Sequence, residues 1–156
     1  LPCAGERGAG RSPSVADGFV MGMINAMQKS NVVLAKILNL AMENGLSHWS
    51  LEFSDLDVDS ECETYFYPCV EWLEAEGLVR VGEYARTMGG LANGSVINIA
   101  LTSLGMAVLG QKIEVSGTDE PLSKAVREVS KGNVDYHSIT DALGGLIGGV
   151  IKSLMG

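Results

Sequence analysis

The sequence predicts an α+β protein that is mostly helical, with a small sheet of two or three strands and additional helices at both ends. Residues 65–110 have the pattern helix, strand, loop, strand, helix. Apolar residues recur at helical spacing before this stretch, in 19–45, and after it, in 122–154. A chain of 156 residues can bury enough surface to form one domain with an appended tail, without disulfides or metals.

The stretch 19–45 is predicted to be helical. Met21 and Ile24 begin an apolar pattern with helical spacing, and Ser30 interrupts it, so the chain forms either one long helix or two short ones. Gly45 predicts the end of the helix, because glycine adopts the left-handed conformation at little cost. The apolar residues face more than one side, which indicates a core helix or a dimer interface.

A strand and a second helix are expected next. Residues 48–53 alternate between apolar and polar, which is typical of a half-buried strand. After a polar connection, 54–60, apolar residues follow a helical stripe that ends at Gly77. Pro68 falls within this stripe and would remove a helical hydrogen bond. Either the helix is kinked there, or a short turn ends near Tyr67 and Pro68 opens the main helix.

A β-hairpin and a third helix complete the predicted domain. Residues 78–81 read as a short strand, and 95–101 alternate as a second strand. The glycine-rich stretch 82–94 would be the loop between them. Either Thr102 or Ser103 is expected to cap the helix that follows, since a hydroxyl can accept a hydrogen bond from the first helical turn.

Two short stretches resemble a known family. They are Leu73-Glu74-Ala75-Glu76-Gly77-Leu78-Val79 and Ile99-Ala100-Leu101-Thr102-Ser103-Leu104-Gly105. Together they resemble the L-x-x-x-G-L-hydrophobic … L-T-x-x-G pattern of winged-helix regulators of the MarR and PadR kind, over a third to a half of the chain. The resemblance implies a winged helix, in which the hairpin is the wing and the helix ending at Glu76 is the recognition helix.

The organisation expected from the sequence has three parts. Residues 1–16 are a flexible leader, 17–113 are the winged-helix-like domain, and 114–156 are a helical extension. A linker at 117–121 leads into the first helix of the extension, with acidic residues near the positive end of that helix.

The last predicted helix starts at Ser138 or Thr140 and is interrupted by glycines. Glycine costs about 1 kcal/mol relative to alanine inside a helix, so four within six residues need a reason. We expect close approach to the protein's own core or to a second copy. These candidate helix-packing residues are Gly144, Gly145, Gly148 and Gly149.

The acidic character of the first half of the domain is the clearest surface signal. The net charge is -8, and residues 48–79 contain nine carboxylates with no Lys or Arg among them. A solvated surface that supports solubility is the plainer interpretation; a docking face for a basic protein is the functional one. The candidate acidic docking face consists of Glu61, Glu63, Glu71, Glu74 and Glu76.

Nucleic acid binding is disfavoured by this charge, because affinity for nucleic acid depends largely on Lys and Arg that neutralise phosphates. Carboxylates on the predicted recognition helix would repel the phosphate backbone. Three residues remain as candidate wing contacts to a nucleic-acid backbone: Arg80, Tyr84 and Arg86.

No motif predicts catalysis, a cofactor or a metal. Residues 55–66 resemble an EF-hand loop but lack its glycine and its final glutamate. His48, Cys62 and Cys69 lack the spacing of a zinc site and read better as ordinary residues, with free thiols suited to a reducing cytoplasm. His137 lies at a predicted helix entrance without the partners of a catalytic site.

Two functions follow from these observations. The first is a non-enzymatic interaction or dimerisation module with an acidic face, located in the cytoplasm, whose partner is a protein or a second copy. The alternative is a winged-helix DNA-binding transcriptional regulator, as the resemblance implies. No apolar run reaches the ~18 residues of a membrane span, so no transmembrane segment is expected.

Overall fold

A computed structural model describes the backbone of residues 15–156 and the side chains from residue 25 onward. This part of the chain forms an α+β fold that is mostly helical and has small antiparallel sheets, so the predicted fold class is confirmed. The expected leader, 1–16, lies outside the described residues except for its last two, which already belong to the first helix.

The described elements are as follows in chain order. The five α-helices are α1 (Val15–Asn44), α2 (Phe66–Ala75), α3 (Ser103–Gly110), α4 (Leu122–Ser130) and α5 (His137–Met155). The strands are β1 (Ser50–Leu51), β2 (Val79–Arg80), β3 (Glu83–Arg86), β4 (Gly94–Ile97), β5 (Ala100–Leu101), β6 (Lys112–Val115) and β7 (Thr118–Pro121). Three 3₁₀-helices span Phe53–Leu56, Ser60–Tyr65 and Val134–Tyr136.

Helix α1 is one continuous helix, which decides between the two sequence-based alternatives. The Ser30 hydroxyl donates to the carbonyl of Ala26, 2.8 Å away, so the serine is accommodated inside the helix instead of breaking it. Gly45 ends the helix with a φ of 61°, and its N–H donates to the carbonyl of Ala41 at 3.0 Å. The predicted glycine stop is confirmed.

Pro68 lies in the first turn of α2, close to the second sequence-based alternative. A 3₁₀-helix ends at Tyr65, and α2 begins at Phe66, so proline occupies the third helical position. The N–H groups of the first turn have no partner within a helix, and proline therefore removes no hydrogen bond here. Gly77, with a φ of 85°, follows the helix end as expected.

The predicted hairpin, 78–101, differs from the sequence-based prediction at two points. Residues 82–94 were expected to be a loop, but they contain β3, which pairs with β4 through Glu83–Arg86. Residues 95–101 were expected to be one strand, but Asn98 has a φ of 56° and turns the chain. As a result β4 pairs with β1 and β3, whereas β5 pairs with β2.

A second hairpin stands where a linker was expected. Strands β6 and β7 pair in register from Lys112↔Pro121 to Val115↔Thr118. The two residues between them, Ser116 and Gly117, have φ values of 52° and 82°. Positive φ at both central residues is typical of the tight turns that match the twist of paired strands.

The hydrophobic core joins parts of the chain that are distant in sequence. Ile37 of α1, Val126 of α4 and Leu143 of α5 are fully buried in the same cluster as Leu73 of α2. The proposed boundary between 113 and 114 stays a prediction. Within the described residues, the segments on both sides of it contribute to a single core.

Asn31 joins α1 to α5 through polar contacts inside this core. Its side chain is only 2% exposed. Its amide nitrogen donates to the carbonyl of Asp141 at 3.3 Å, and its amide oxygen accepts from the N–H of Gly144 at 3.2 Å. A buried amide with both groups bonded fixes the register of the two helices, because any shift would leave them unpaired.

Candidate functional site

The β3–β4 hairpin, residues 83–97, lies against α2 and contacts its acidic side chains. The Tyr84 hydroxyl donates to a carboxylate oxygen of Glu74 at 2.8 Å. Arg86 forms an ion pair with Glu71, in which both side chains are half exposed. The structure therefore brings two predicted wing contacts together with two members of the predicted acidic face.

Arg86 is held by an aromatic ring as well as by a carboxylate. Its guanidinium lies 4.3 Å from the centre of the Tyr67 ring, a distance at which a cation is attracted to the face of the ring. The Tyr67 hydroxyl in turn donates to the carbonyl of Asn93 at 2.8 Å, at the end of the hairpin loop. Together with the hydrogen bond from Tyr84 to Glu74, four side-chain contacts thus fasten the hairpin to α2.

The hydroxyls at this junction remain protonated at neutral pH. Burial raises the pKa of Tyr84, and the hydrogen bond to Glu74 raises it further. Burial also raises the pKa of Tyr67, which the nearby Arg86 partly opposes. Both groups therefore act as hydrogen-bond donors and add no negative charge to the surface.

The other three carboxylates of the predicted acidic face have different surroundings. Glu61 forms an ion pair with Lys29 of α1, at 2.5 Å. The hydrogen bond from Lys29 lowers the pKa of the Glu61 carboxyl. Glu63 and Glu76 are half-buried, and their carboxylates have no hydrogen-bond or ion-pair partner among the residues the structure describes. Glu63 and Glu52 share a hollow of about 270 Å³ beside the hairpin loop.

Arg80 is separated from the other two candidate wing contacts. It lies on β2, opposite Ala100 of β5, in a sheet that does not include β3. Its side chain is exposed, and no described carboxylate lies within 4 Å of it. Of the two arginines described near the hairpin, Arg80 is therefore free and Arg86 is already paired.

The four candidate helix-packing glycines differ in their surroundings. A side chain at Gly144 would lie 3.3 Å from the Asn31 amide oxygen and 4.0 Å from Leu34, so α5 approaches α1 closely there. A side chain at any of the other three would meet nothing within 4 Å in the described part of the molecule. Close packing on the protein's own core accounts for Gly144, and packing on a second copy stays a prediction for Gly145, Gly148 and Gly149.

The thiols of Cys62 and Cys69 are free and buried. Burial raises the pKa of Cys69 to about 12, and its thiol donates to the carbonyl of Ser30 at 3.5 Å. Burial also raises the pKa of Cys62.

His48 lies apart from these two thiols, with a ring nitrogen 3.4 Å from the Asn98 amide oxygen. Within residues 25–156 no three His, Cys, Asp or Glu side chains are grouped closely enough to hold a metal ion.

The sequence did not reveal two polar contacts that fix helices. Lys29 and Glu61 are too far apart in the chain for a helical spacing rule to connect them. Glu120 is 7% exposed, accepts from the Tyr136 hydroxyl at 2.8 Å and lies 3.1 Å from the Lys124 ammonium. Glu120 lies on β7 and Lys124 lies in the first turn of α4, so the helical i, i+4 rule did not predict this pair either.

Comparisons with family models, with curated proteins and with solved structures gave no match to this chain. Among the helices of the described residues, none combines the length and the apolar character needed to cross a membrane.

Proposed function

We propose that this protein is a non-enzymatic interaction module, built on a winged-helix-like plan, that presents an acidic surface to a basic protein or pairs with a second copy. The observation that carries the proposal is that the Arg86 side chain already has partners within the chain. This hairpin cation is paired with Glu71 and stacked on Tyr67. The hairpin arginine therefore already has partners on α2 within the chain, which makes it less available to a phosphate.

The order of elements supports the winged-helix-like plan. Helix α2 is followed by β2, the β3–β4 hairpin, β5 and α3, and the short β1 pairs with β4. In this scheme α2 corresponds to the recognition helix and the hairpin to the wing. The resemblance of the Leu73–Val79 and Ile99–Gly105 stretches to MarR-like and PadR-like regulators points the same way.

The surface charge favours a basic protein over nucleic acid. The chain carries 19 Asp and Glu against 11 Lys and Arg. Glu63 and Glu76 keep carboxylates without a described partner, next to a helix that contains no cation. Such a surface attracts a positive partner and repels a polyanion. Two free, buried thiols are consistent with a reducing compartment such as the cytoplasm.

The experiment measures binding of fluorescent duplex DNA and of a fluorescent lysine-rich peptide by anisotropy at low salt. We expect no retention of the DNA and saturable binding of the peptide that weakens as salt is added. The double variant Glu63→Gln/Glu76→Gln should bind the peptide several-fold more weakly. Salt-sensitive DNA binding would overturn the proposal.

The matched control is Glu114→Gln/Asp119→Asn, which removes two exposed carboxylates from the β6–β7 hairpin. It should bind the peptide as the unmodified chain does. Equal weakening in both double variants would show a general charge effect and would contradict a docking face at α2.

A DNA-binding regulator is the second candidate, and the exposed Arg80 is the observation that favours it. Its side chain is free to reach a phosphate, while α2 would enter the major groove. If DNA binding is found, Arg80→Ala should weaken it. DNA binding that survives Arg80→Ala and Arg86→Ala together would contradict this mechanism.

A further inference from the structure

The loop between β3 and β4, residues 87–93, presents two large apolar side chains to solvent. Met88 is 96% exposed and Leu91 is 69% exposed. Gly89 and Gly90 separate them, so both belong to the same short loop. Single apolar residues are common on protein surfaces, but two exposed on one loop form a candidate contact surface for another molecule.

Contacts within the chain give this loop one defined shape. Ala92 is buried in the core. The Asn93 amide nitrogen donates to the carbonyl of Met88 at 3.1 Å, and the Tyr67 hydroxyl donates to the carbonyl of Asn93. Gly89 has a φ of 118°, and a side chain there would lie 2.7 Å from the Asn93 amide nitrogen. A loop that is already held in its shape loses little conformational entropy on binding.

The hollow of about 270 Å³ beside this loop carries negative charge. Thr87 and Asn93 line it from the loop, and Glu52 and Glu63 line it from the segment before α2. Neither carboxylate forms an ion pair with a described residue, and the described residues that line the hollow include no Lys or Arg. The hollow is smaller than the ~300 to 1,000 Å³ of small-molecule sites, so it suits one side chain of a larger partner.

The charge of the hollow selects the partner. Two carboxylates without ion pairs attract a Lys or Arg side chain and repel a carboxylate. A second copy of this acidic chain, with 19 Asp and Glu against 11 Lys and Arg, is therefore a poor occupant. An anionic lipid surface is disfavoured for the same reason, although Met88 and Leu91 are apolar.

We propose that the 87–93 loop and the hollow form one docking surface, and that its occupant is an exposed segment of a basic protein in which a Lys or Arg stands close to apolar side chains. The cationic side chain enters the hollow lined by Glu52 and Glu63, and the apolar side chains cover Met88 and Leu91. This surface rests on the function proposed above, because it takes the same basic partner. It adds apolar contacts that distinguish one basic segment from another.

The test is anisotropy titration of the full chain at low salt with two fluorescent peptides of equal length and charge. One consists of lysines and serines, and in the other two of the serines are replaced by leucines. The leucine peptide should bind about tenfold more tightly, because it buries apolar surface on the loop. Met88→Ser/Leu91→Ser should lower the affinity for the leucine peptide to that for the serine peptide, and should leave the serine peptide unchanged.

Leu46→Ser is the matched control, since Leu46 is 64% exposed and lies before β1, outside the loop. It should leave the affinities for both peptides unchanged. Glu52→Gln/Glu63→Gln should weaken both peptides several-fold, because each peptide places a lysine at the hollow.

The possible results separate the docking surface from the function on which it rests. Equal affinity of the unmodified chain for the two peptides would overturn the docking surface and leave a basic partner in place. If neither peptide binds, the basic partner and the docking surface are both wrong. Equal weakening by Leu46→Ser and by Met88→Ser/Leu91→Ser would show nonspecific contact and would overturn the surface.

Amide chemical shifts of the unmodified chain locate the bound peptide without a variant. The leucine peptide should perturb amides in 52–54 and 87–94 and the amide of Glu63, and shifts confined to other regions would overturn the surface. Phosphatidylcholine vesicles should not retain the protein. Retention that is lost in Met88→Ser/Leu91→Ser would assign the loop to a lipid surface and would contradict a protein partner.

Discussion

At the scale of single residues, Thr102 connects the end of α2 to the start of α3. Its hydroxyl accepts from the N–H of Gly105 at 2.9 Å and donates to the carbonyl of Gly77. Gly105 must itself be glycine, because a side chain there would lie 2.2 Å from the carbonyl oxygen of Leu78. Of the two caps that the sequence allowed, the structure selects Thr102 over Ser103.

Replacing this cap gives the first stability prediction. Thr102→Ala should lower the free energy of unfolding by about 1–2 kcal/mol, because the N–H of Gly105 loses its acceptor. Ser103, the exposed neighbour, offers a control. Ser103→Ala should change the free energy of unfolding by less than about 0.5 kcal/mol. Urea unfolding followed by circular dichroism measures both. Similar losses in the two variants would mean that Thr102 is not the effective cap.

At the scale of elements, the β3–β4 hairpin depends on side chains as well as on its backbone pairing. Among the described strands, β1 alone pairs with β4 on its other edge, and it has two residues. Small sheets are marginally stable alone. The contacts of Tyr84 and Arg86 with α2 therefore matter more here than similar contacts would in a larger sheet.

Removing the ion pair should loosen the hairpin without unfolding the protein. Arg86→Ala should speed hydrogen exchange in 83–86 and 94–97, while Arg80→Ala should not. Because both partners are 51% exposed, the coupling between Arg86 and Glu71 in a double-mutant cycle should be only about 0.5–1 kcal/mol and should fall with salt. Unchanged exchange in Arg86→Ala would show that backbone pairing alone holds the hairpin.

At the scale of the whole molecule, α5 has one side that packs on α1 and another that exposes glycines. Leu143 and Ile147 are fully buried, whereas Gly145 and Gly149 are exposed. In a single described chain, these exposed glycines lower helix stability without a packing benefit. The prediction that a second copy covers them can be separated from simple exposure by experiment.

Alanine at the exposed glycines should show whether a second copy covers them or whether they face solvent. In dilute solution, Gly145→Ala and Gly149→Ala should each raise stability by up to about 1 kcal/mol, since alanine favours a helix. Gly144→Ala serves as the control and should show no such gain, because its side chain would crowd Asn31. Sedimentation equilibrium should show weaker self-association in the first two variants if a second copy packs there. Stabilisation with unchanged association would contradict dimerisation through this face.

Glycine stops and apolar spacing in the sequence predicted most of the helices and strands. These signals concern neighbouring residues, so they missed features that depend on which strands pair. Glycine stops at 45 and 77 follow from backbone freedom, which a single residue determines. The alternation in 95–101 hid a break, because the positive φ of Asn98 depends on which strands pair on either side. The β6–β7 hairpin was missed although Ser116-Gly117, between alternating residues, is a recognised turn signal.

The candidate site could be predicted only in its composition. The sequence contains Glu71 and Arg86, but it does not show that they pair. Their pairing requires the hairpin to fold over α2, which brings together residues that are distant in the chain. A cleft between α1 and the α4–α5 connection had no local motif, since the residues that line it come from segments that are distant in sequence. Long-range geometry of this kind is not encoded in the spacing of neighbouring residues.

The polar link through Asn31 has a consequence for synthesis on the ribosome. Asn31 and Gly144 are 113 positions apart. At a translation rate of ~5–20 residues per second, α1 waits on the order of ten seconds for the helix that covers it. During that interval the part of α1 that packs on α5, which includes Asn31 and Leu34, lacks its partner. One face of α1 therefore stays uncovered on the nascent chain until nearly all of the described residues have been made.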